Sequence, residues 1–135
     1  GGAGLARLGD LAFLHDHHGW LVGSAEPRPD LVIVVSDNNG GGIFHQLEQG
    51  RPEFADSFER LFGTPQARDL VAVAEAAGIE AVRVTERAGV ARAVAEAGSR
   101  GGVRVVVADV LNRGTEAQLM ADVHAALSDR LANGT

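Results

Sequence analysis

The chain's hardest oxygen donors occur in two short glycine-bearing segments, Gly9-Asp10 and Asn38-Asn39-Gly40, with residues 11–37, 27 in all, between Asp10 and Asn38. An aspartate supplies a carboxylate oxygen, an asparagine a neutral amide oxygen, and a glycine backbone a carbonyl oxygen. Asp10, Asn38 and Gly40 together would make half of an octahedral shell suited to Mg²⁺, which prefers oxygen ligands and commonly keeps water and phosphate oxygens in its other positions. A diphosphate could complete that shell, with amides of the glycine loop and of a helix starting at Leu11 donating to its oxygens. The competing readings are an acid in an exposed first helical turn for Asp10, and a solvated surface turn for residues 36–42. The interval between the two segments, and their places after apolar runs, favour the ligand reading.

A second group of candidate ligands is His15, Asp16, His17 and His18. On a helix His15 and His18 would share one face, as a zinc site requires, but no third convergent ligand accompanies them, and a structural role is the better reading. Arg51, Arg60 and Arg68 read as solvated surface, while Trp20, Phe44, Phe54, Phe58 and Phe62 read as core or subunit interface.

The elements that would position the oxygen donors follow from apolar spacing. Residues 5–8 read as the end of a strand, 11–23 as a helix closed by the prolines of AEPRPD, and 31–35 as a continuous aliphatic strand suited to the centre of a parallel sheet. Residues 36–42, SDNNGGG, form a loop, and 43–66 are irregular apart from a helical piece over 54–62 that stops at Gly63-Thr64-Pro65. From Asp69 come a helix to residue 77 ended by Gly78, a strand over 81–84, a helix over 88–97 ended by Gly98, a strand over 103–108, and a helix over 116–131 with Thr115 as its N-cap. The sum is an α/β chain with about four strands. It reads as a doubly wound, mainly parallel sheet with helices on both faces, lacking one or two upstream strands of a full sheet of that kind. Ligands bind such sheets beyond the carboxyl ends of the strands, where both donor segments fall.

At 135 residues, 45% apolar and 22% charged, the chain has the makings of one globular domain. A net charge of −6 with no basic run argues against nucleic acid or an anionic membrane surface as a partner. Its apolar runs are too short for a membrane span, no leader sequence is evident, and a cytoplasmic location is expected. The absence of cysteine excludes disulfides, thiolate metal sites and cysteine catalysis. The start without Met suggests a piece of a longer chain.

Gly-Asp, an interval of this length and a closing Asn-Asn resemble the signature of thiamine-diphosphate enzymes. The words GDLAFLHDHHGWL, LVIVVSDNNGGGIF, LEQG and FERLFGTP are similar to the corresponding stretches of the SEPHCHC synthase (MenD) family of menaquinone biosynthesis, particularly its actinobacterial members. The likeness is dense over residues 9–65 and general beyond them. It implies that Asp10, Asn38 and the Gly40 carbonyl hold Mg²⁺, and that Gly9, Leu11, Gly41, Ile43 and Phe44 wrap the diphosphate and approach the thiazolium ring. It also implies a homodimer or homotetramer that decarboxylates 2-oxoglutarate and adds the succinic semialdehyde unit to isochorismate. The family's cofactor-activating glutamate comes from the amino-terminal domain of a partner subunit, and no residue here takes that role. Asp37 stands where many members have Asn, and His17-His18 replace smaller or polar residues. Two alternatives stay open: another thiamine-diphosphate decarboxylase or synthase, or a metal-free Rossmann-like nucleotide module. The second predicts GxGxxG at the first strand-to-helix turn, where this chain has Gly-Asp.

Overall fold

A computed structural model of the chain describes residues 3–133. They form two compact units: the first comprises the described residues up to Asp37 together with Ala67–Val110, and the second Asn38–Gln66 with the residues from Leu111 onward.

The first unit is a four-stranded, all-parallel sheet made of β1 (Gly4–Gly9), β2 (Leu31–Asp37), β3 (Glu80–Val84) and β4 (Val103–Asp109), in the order β1-β2-β4-β3. The strongest apolar runs, LVIVV and VRVVVA, occupy the two central positions, because only there are both faces of a strand covered. Val105 and Val107 join Phe13, Val35, Leu70 and Ile79 in the core on one face, while Val32 and Val106 are also buried and alternate with them. The chain steps in one direction across the sheet from β1 through β2 to β3, then returns to β4. With right-handed crossovers, that reversal puts α4 (Arg87–Ser99) on the face opposite α1 (Asp10–His15) and α3 (Leu70–Ala76). Consistently, α1 touches α3, and α4 packs against β2, β3 and β4. The fold is the doubly wound parallel α/β sheet expected from the sequence.

Two helix ends differ from expectation. The helix over 11–23 is only α1, followed by a single 3-10 turn at His17–Trp20. Asp16, His17, His18 and Gly19 are weak helix formers, and the break lets Trp20 stack on the buried Phe13 with ring centroids 4.0 Å apart. Gly98 does not end α4, which runs on to Ser99. The positive-φ glycines that redirect the chain are Gly101 and Gly102. Gly78, at φ +73, does follow α3 as a left-handed stop.

The second unit contains the segment that leaves β2 and the one that follows β4. It holds α2 (Ala55–Phe58), a π turn over Glu59–Gly63, and the long α5 (Arg113–Ala132). Thr64 in the left-handed region closes the π turn, its N–H donating to the Glu59 carbonyl at 2.7 Å. The N-cap of α5 is Asn112 rather than Thr115. Its side-chain oxygen accepts from the Thr115 amide at 3.0 Å, so the helix begins three residues earlier than the apolar pattern shows. Phe58 is buried, with Phe62 and His45 against it.

Candidate functional site

The predicted ligand residues divide between the two units. Gly9, Asp10 and Leu11 lie in the first, where β1 becomes α1. Gly9 ends the strand with extended backbone (φ −84, ψ 164), and Asp10 is the first helical residue. Asp10 is 6% exposed, the only buried charged residue among those described, and its carboxylate accepts from the Leu11 amide at 2.9 Å. A Cβ built on Gly9 would meet nothing within 4 Å. No packing among the described residues requires glycine there.

The register of β1 on β2 pairs Gly9 with Ser36, so the carboxyl ends of these neighbouring strands are level, and Asn38 follows Ser36 by two residues. β2 is fixed at this end from two directions. The Val110 amide donates to the Asp37 carbonyl at 3.1 Å, and Arg83, reaching from β3, donates to the Asp37 carboxylate at 3.0 Å and to Asp109 at the end of β4. Burial alone would lower the pKa of the Arg83 guanidinium. Its hydrogen bonds to Asp37 and Asp109, and their charges, outweigh that and hold it above its ordinary value. The Asp37 carboxylate is thus committed to an ion-pair network, and Asp37→Ala is expected to act on stability more than on cofactor affinity. The loss should be about 1–2 kcal/mol, the worth of a charged hydrogen bond, with cofactor affinity within about threefold of wild type. Thermal melts and cofactor titrations of that variant would check both.

Asn38, Gly40, Gly41, Ile43 and Phe44 lie in the second unit. The three consecutive glycines have a structural cause there. A Cβ at Gly40, at φ +130, would fall inside contact distance of the Gly63 carbonyl oxygen, and one at Gly41 would collide with the Phe62 carbonyl oxygen and the Phe44 ring. The loop backbone is laid directly on the π turn. The Gly41 amide donates to Gly63 at 2.8 Å and the Gly42 amide to Gly40 at 2.9 Å, so in this conformation neither is open to a phosphate, contrary to the simplest reading of a glycine loop. Phe44 is half-buried against Phe62, whereas Ile43 is 64% exposed. Asn38 carries the most informative atom. Its Nδ2 donates to Glu116 on α5 at 3.4 Å, while its Oδ1 is buried without a hydrogen-bond partner. A buried carbonyl oxygen left bare costs about 1–3 kcal/mol, and a cation would offset that cost.

The histidine cluster has no comparable feature. The break after His15 separates it from His18 on the expected face, the His17 ring stacks on His18, and among the described residues no group of three or more His, Cys, Asp or Glu side chains could hold a metal. Sequence reading missed Arg83, Asp109 and Glu116. Asp109 was discoverable, because VVVAD ends β4 in an acid as VVSD ends β2, and an Arg on the adjacent strand is the natural counter-ion.

The sequence profile of the thiamine pyrophosphate enzyme, C-terminal TPP binding domain, matches residues 5–108. The chain belongs to this family. The nucleotide-module alternative is thereby set aside, and thiamine diphosphate is the cofactor of this TPP-binding domain. Among curated proteins it is 47% identical over 130 residues to the 2-succinyl-5-enolpyruvyl-6-hydroxy-3-cyclohexene-1-carboxylate (SEPHCHC) synthase of Saccharopolyspora erythraea, a match covering 94% of this chain and 23% of that protein. It is 44% identical over 133 residues to the synthase of Nocardia farcinica, covering 97% of this chain and 23% of that one. Against the Rhodococcus opacus synthase identity rises to 58% over 80 residues, 58% of this chain and 15% of the relative. The chain thus spans less than a quarter of the length of these relatives. Among solved structures, benzoylformate decarboxylase from Polynucleobacter necessarius superposes with a TM-score of 0.60 at 25% identity, over 81% of this chain and 19% of that one. The bare, buried oxygen of Asn38 and the buried carboxylate of Asp10 are the donor types that a Mg²⁺-bound diphosphate requires. The residues present fit the group.

Proposed function

We propose that residues 1–135 are the cofactor-anchoring, C-terminal part of a longer SEPHCHC synthase. That enzyme decarboxylates 2-oxoglutarate and adds the resulting succinic semialdehyde unit to isochorismate in menaquinone biosynthesis. Thiamine diphosphate, when bound, supplies the electron sink for that chemistry. This chain's residues bind and orient it. In this reading Asp10, the Oδ1 of Asn38 and the carbonyl of Gly40 hold Mg²⁺, which holds the diphosphate in turn. Gly9 and Gly41 leave room for the phosphates by having no side chain, Leu11 lies beside them at the start of α1, and Ile43 and Phe44 present apolar surface to the cofactor ring.

The observation that carries the reading is the unpartnered Oδ1 of Asn38, a donor oxygen held out of water in the loop that follows β2. The similarity to the Saccharopolyspora erythraea synthase over 94% of the chain supports this reaction among the many run on thiamine diphosphate. The acid that activates the cofactor and most of the groups that hold the two acidic substrates belong, in this reading, to parts of the enzyme outside these residues. The working form is a cytoplasmic homodimer or homotetramer. Leu119, Val123, Leu127 and Leu131, all exposed and spaced by four along α5, supply an apolar stripe suited to burial in such an assembly. No helix of the described residues is long and apolar enough to cross a membrane.

The test is to assay the purified chain and the full-length protein side by side with thiamine diphosphate, Mg²⁺, 2-oxoglutarate and isochorismate, while recording mass in solution. The full-length protein is expected to turn over, and the chain alone to be inactive and to self-associate. Turnover by a monomer of this chain would place the activating acid within these 135 residues and overturn the assignment.

A further inference from the structure

The proposed metal ligand Asn38 has an amide that must be the right way round to bind a cation. Only its oxygen can coordinate, and its NH₂ would present two hydrogens instead. Asparagine has no intrinsic preference between the two orientations. A neighbour must decide.

That neighbour is Glu116, in the first turn of α5. Its carboxylate receives the Asn38 Nδ2 at 3.4 Å. An ionised carboxylate only accepts hydrogen bonds, so it holds the nitrogen end of the amide and leaves the oxygen end as the buried atom without a partner. Two further features of the second unit build this contact. Asn112 caps α5 and starts it three residues before Glu116. Gly42 lies alongside the contact, where a Cβ would come 2.5 Å from the Asn38 Nδ2 and 3.4 Å from the Glu116 carboxylate. The third glycine of the loop therefore clears the space in which the two side chains meet.

We infer that Glu116 is a positioning residue for the cation site: as a hydrogen-bond acceptor it fixes the Asn38 amide with its oxygen turned away from α5 and available to Mg²⁺. Partners of this kind, which orient a ligand without touching the ion, typically contribute 10–100-fold to metal affinity. The inference rests on the proposed role of Asn38, and it assigns Glu116 a function through the direction of one hydrogen bond rather than through its charge.

The chemistry of residue 116 separates those two possibilities. In the full-length protein, thiamine diphosphate binding would be titrated calorimetrically at graded Mg²⁺ for wild type, Glu116→Gln, Glu116→Ala, Glu116→Lys and Asn38→Ala, with a thermal melt for each. Gln keeps an acceptor oxygen and is expected to stay within about twofold of wild type in the Mg²⁺ needed for half-saturation. Ala removes the acceptor and should raise that requirement about tenfold. Lys offers only donors, which favour the reversed amide, and should raise it further. If Glu116→Gln were as impaired as Glu116→Ala, Glu116 would act through its charge or as a ligand, and the inference would fall. Equal affinities for Gln, Ala and wild type would also overturn it. Should Glu116→Lys lower the melting temperature, the comparison of Gln with Ala decides alone. An Asn38→Ala protein with unaltered Mg²⁺ dependence would instead refute the metal assignment beneath the inference, a failure distinguishable from that of Glu116 itself.

Discussion

Asp10→Ala in the full-length protein should raise the Mg²⁺ requirement for thiamine diphosphate binding by about 100-fold or more, beyond the range seen when a ligand's supporting residue is removed. Synthase activity should be lost with it. The variant removes the one anionic ligand in the proposed set, and neither an amide oxygen nor a backbone carbonyl can replace its charge. The cost to the fold should be small. Asp10 lies in the first turn of α1, where a negative charge is worth about 0.3–1 kcal/mol through the helix dipole. Its burial at 6% exposure opposes that gain, because taking a carboxylate out of water costs free energy. The two effects nearly cancel, so the apo protein should melt within a few degrees of wild type. Loss of cofactor binding without loss of stability is the signature of a residue kept for function. Calorimetric titration and a melt of the same preparation measure both quantities. A variant that binds cofactor normally, or whose binding suffers less than that of Asp37→Ala, would show that the ligand set is misplaced.

Gly40→Ala should dismantle the loop itself, and the contrast with Gly9→Ala tells fold from function. At Gly40 the backbone has φ +130, a region that side chains rarely adopt, at a cost of about 1–3 kcal/mol. The added methyl would also drive into the Gly63 carbonyl oxygen, so the loop must lift off the π turn. The Gly41 amide then loses its bond to Gly63, and Asn38 loses the setting that buries its oxygen. A total loss of about 3 kcal/mol or more is expected, with cofactor binding abolished. Gly9 has ordinary extended backbone and open space around its missing Cβ, so Ala there should leave the melting temperature unchanged. In the proposed site that space belongs to the diphosphate. Gly9→Ala should therefore weaken cofactor binding about tenfold or more, through a methyl group placed where no protein atom lies. Equal thermal stability and equal cofactor affinity in Gly9→Ala and wild type would remove Gly9 from the site.

The sheet was legible because its central strands are largely aliphatic runs that only burial on both faces explains, and because Gly78 marks the end of α3 with a standard cap. The donor segments were legible for a related reason. Gly9-Asp10 and Asn38-Asn39-Gly40 interrupt apolar runs with residues that strands and helices would not choose. Most of what escaped was set by tertiary partners. The weak helix formers after His15 allow α1 to end there, but the stacking of Trp20 on Phe13 that goes with the break is a contact the sequence does not announce. The early start of α5 depends on Asn112, which precedes the apolar spacing of the helix. The glycine loop could be read as flexible or as ligand-binding, but its rest on the Phe62–Gly63 backbone needed a partner more than twenty residues away. Arg83 and Glu116 are single charged residues in regular elements, and their roles rest on contacts with Asp37 and Asn38 across wide sequence separations.

The central claim is that Asp10, Asn38 and Gly40 bind one cation, and the most direct measurement is the position of that cation. Crystals of the full-length protein grown with thiamine diphosphate and Mn²⁺ in place of Mg²⁺ would locate the ion by its anomalous scattering. The expected result is a single peak between the diphosphate and these residues, with a carboxylate oxygen of Asp10, the Oδ1 of Asn38 and the Gly40 carbonyl each about 2.0–2.3 Å away. A peak bound by other residues, or a structure in which Asp10 and the Asn38 loop are separated by most of the width of the sheet, would contradict the account.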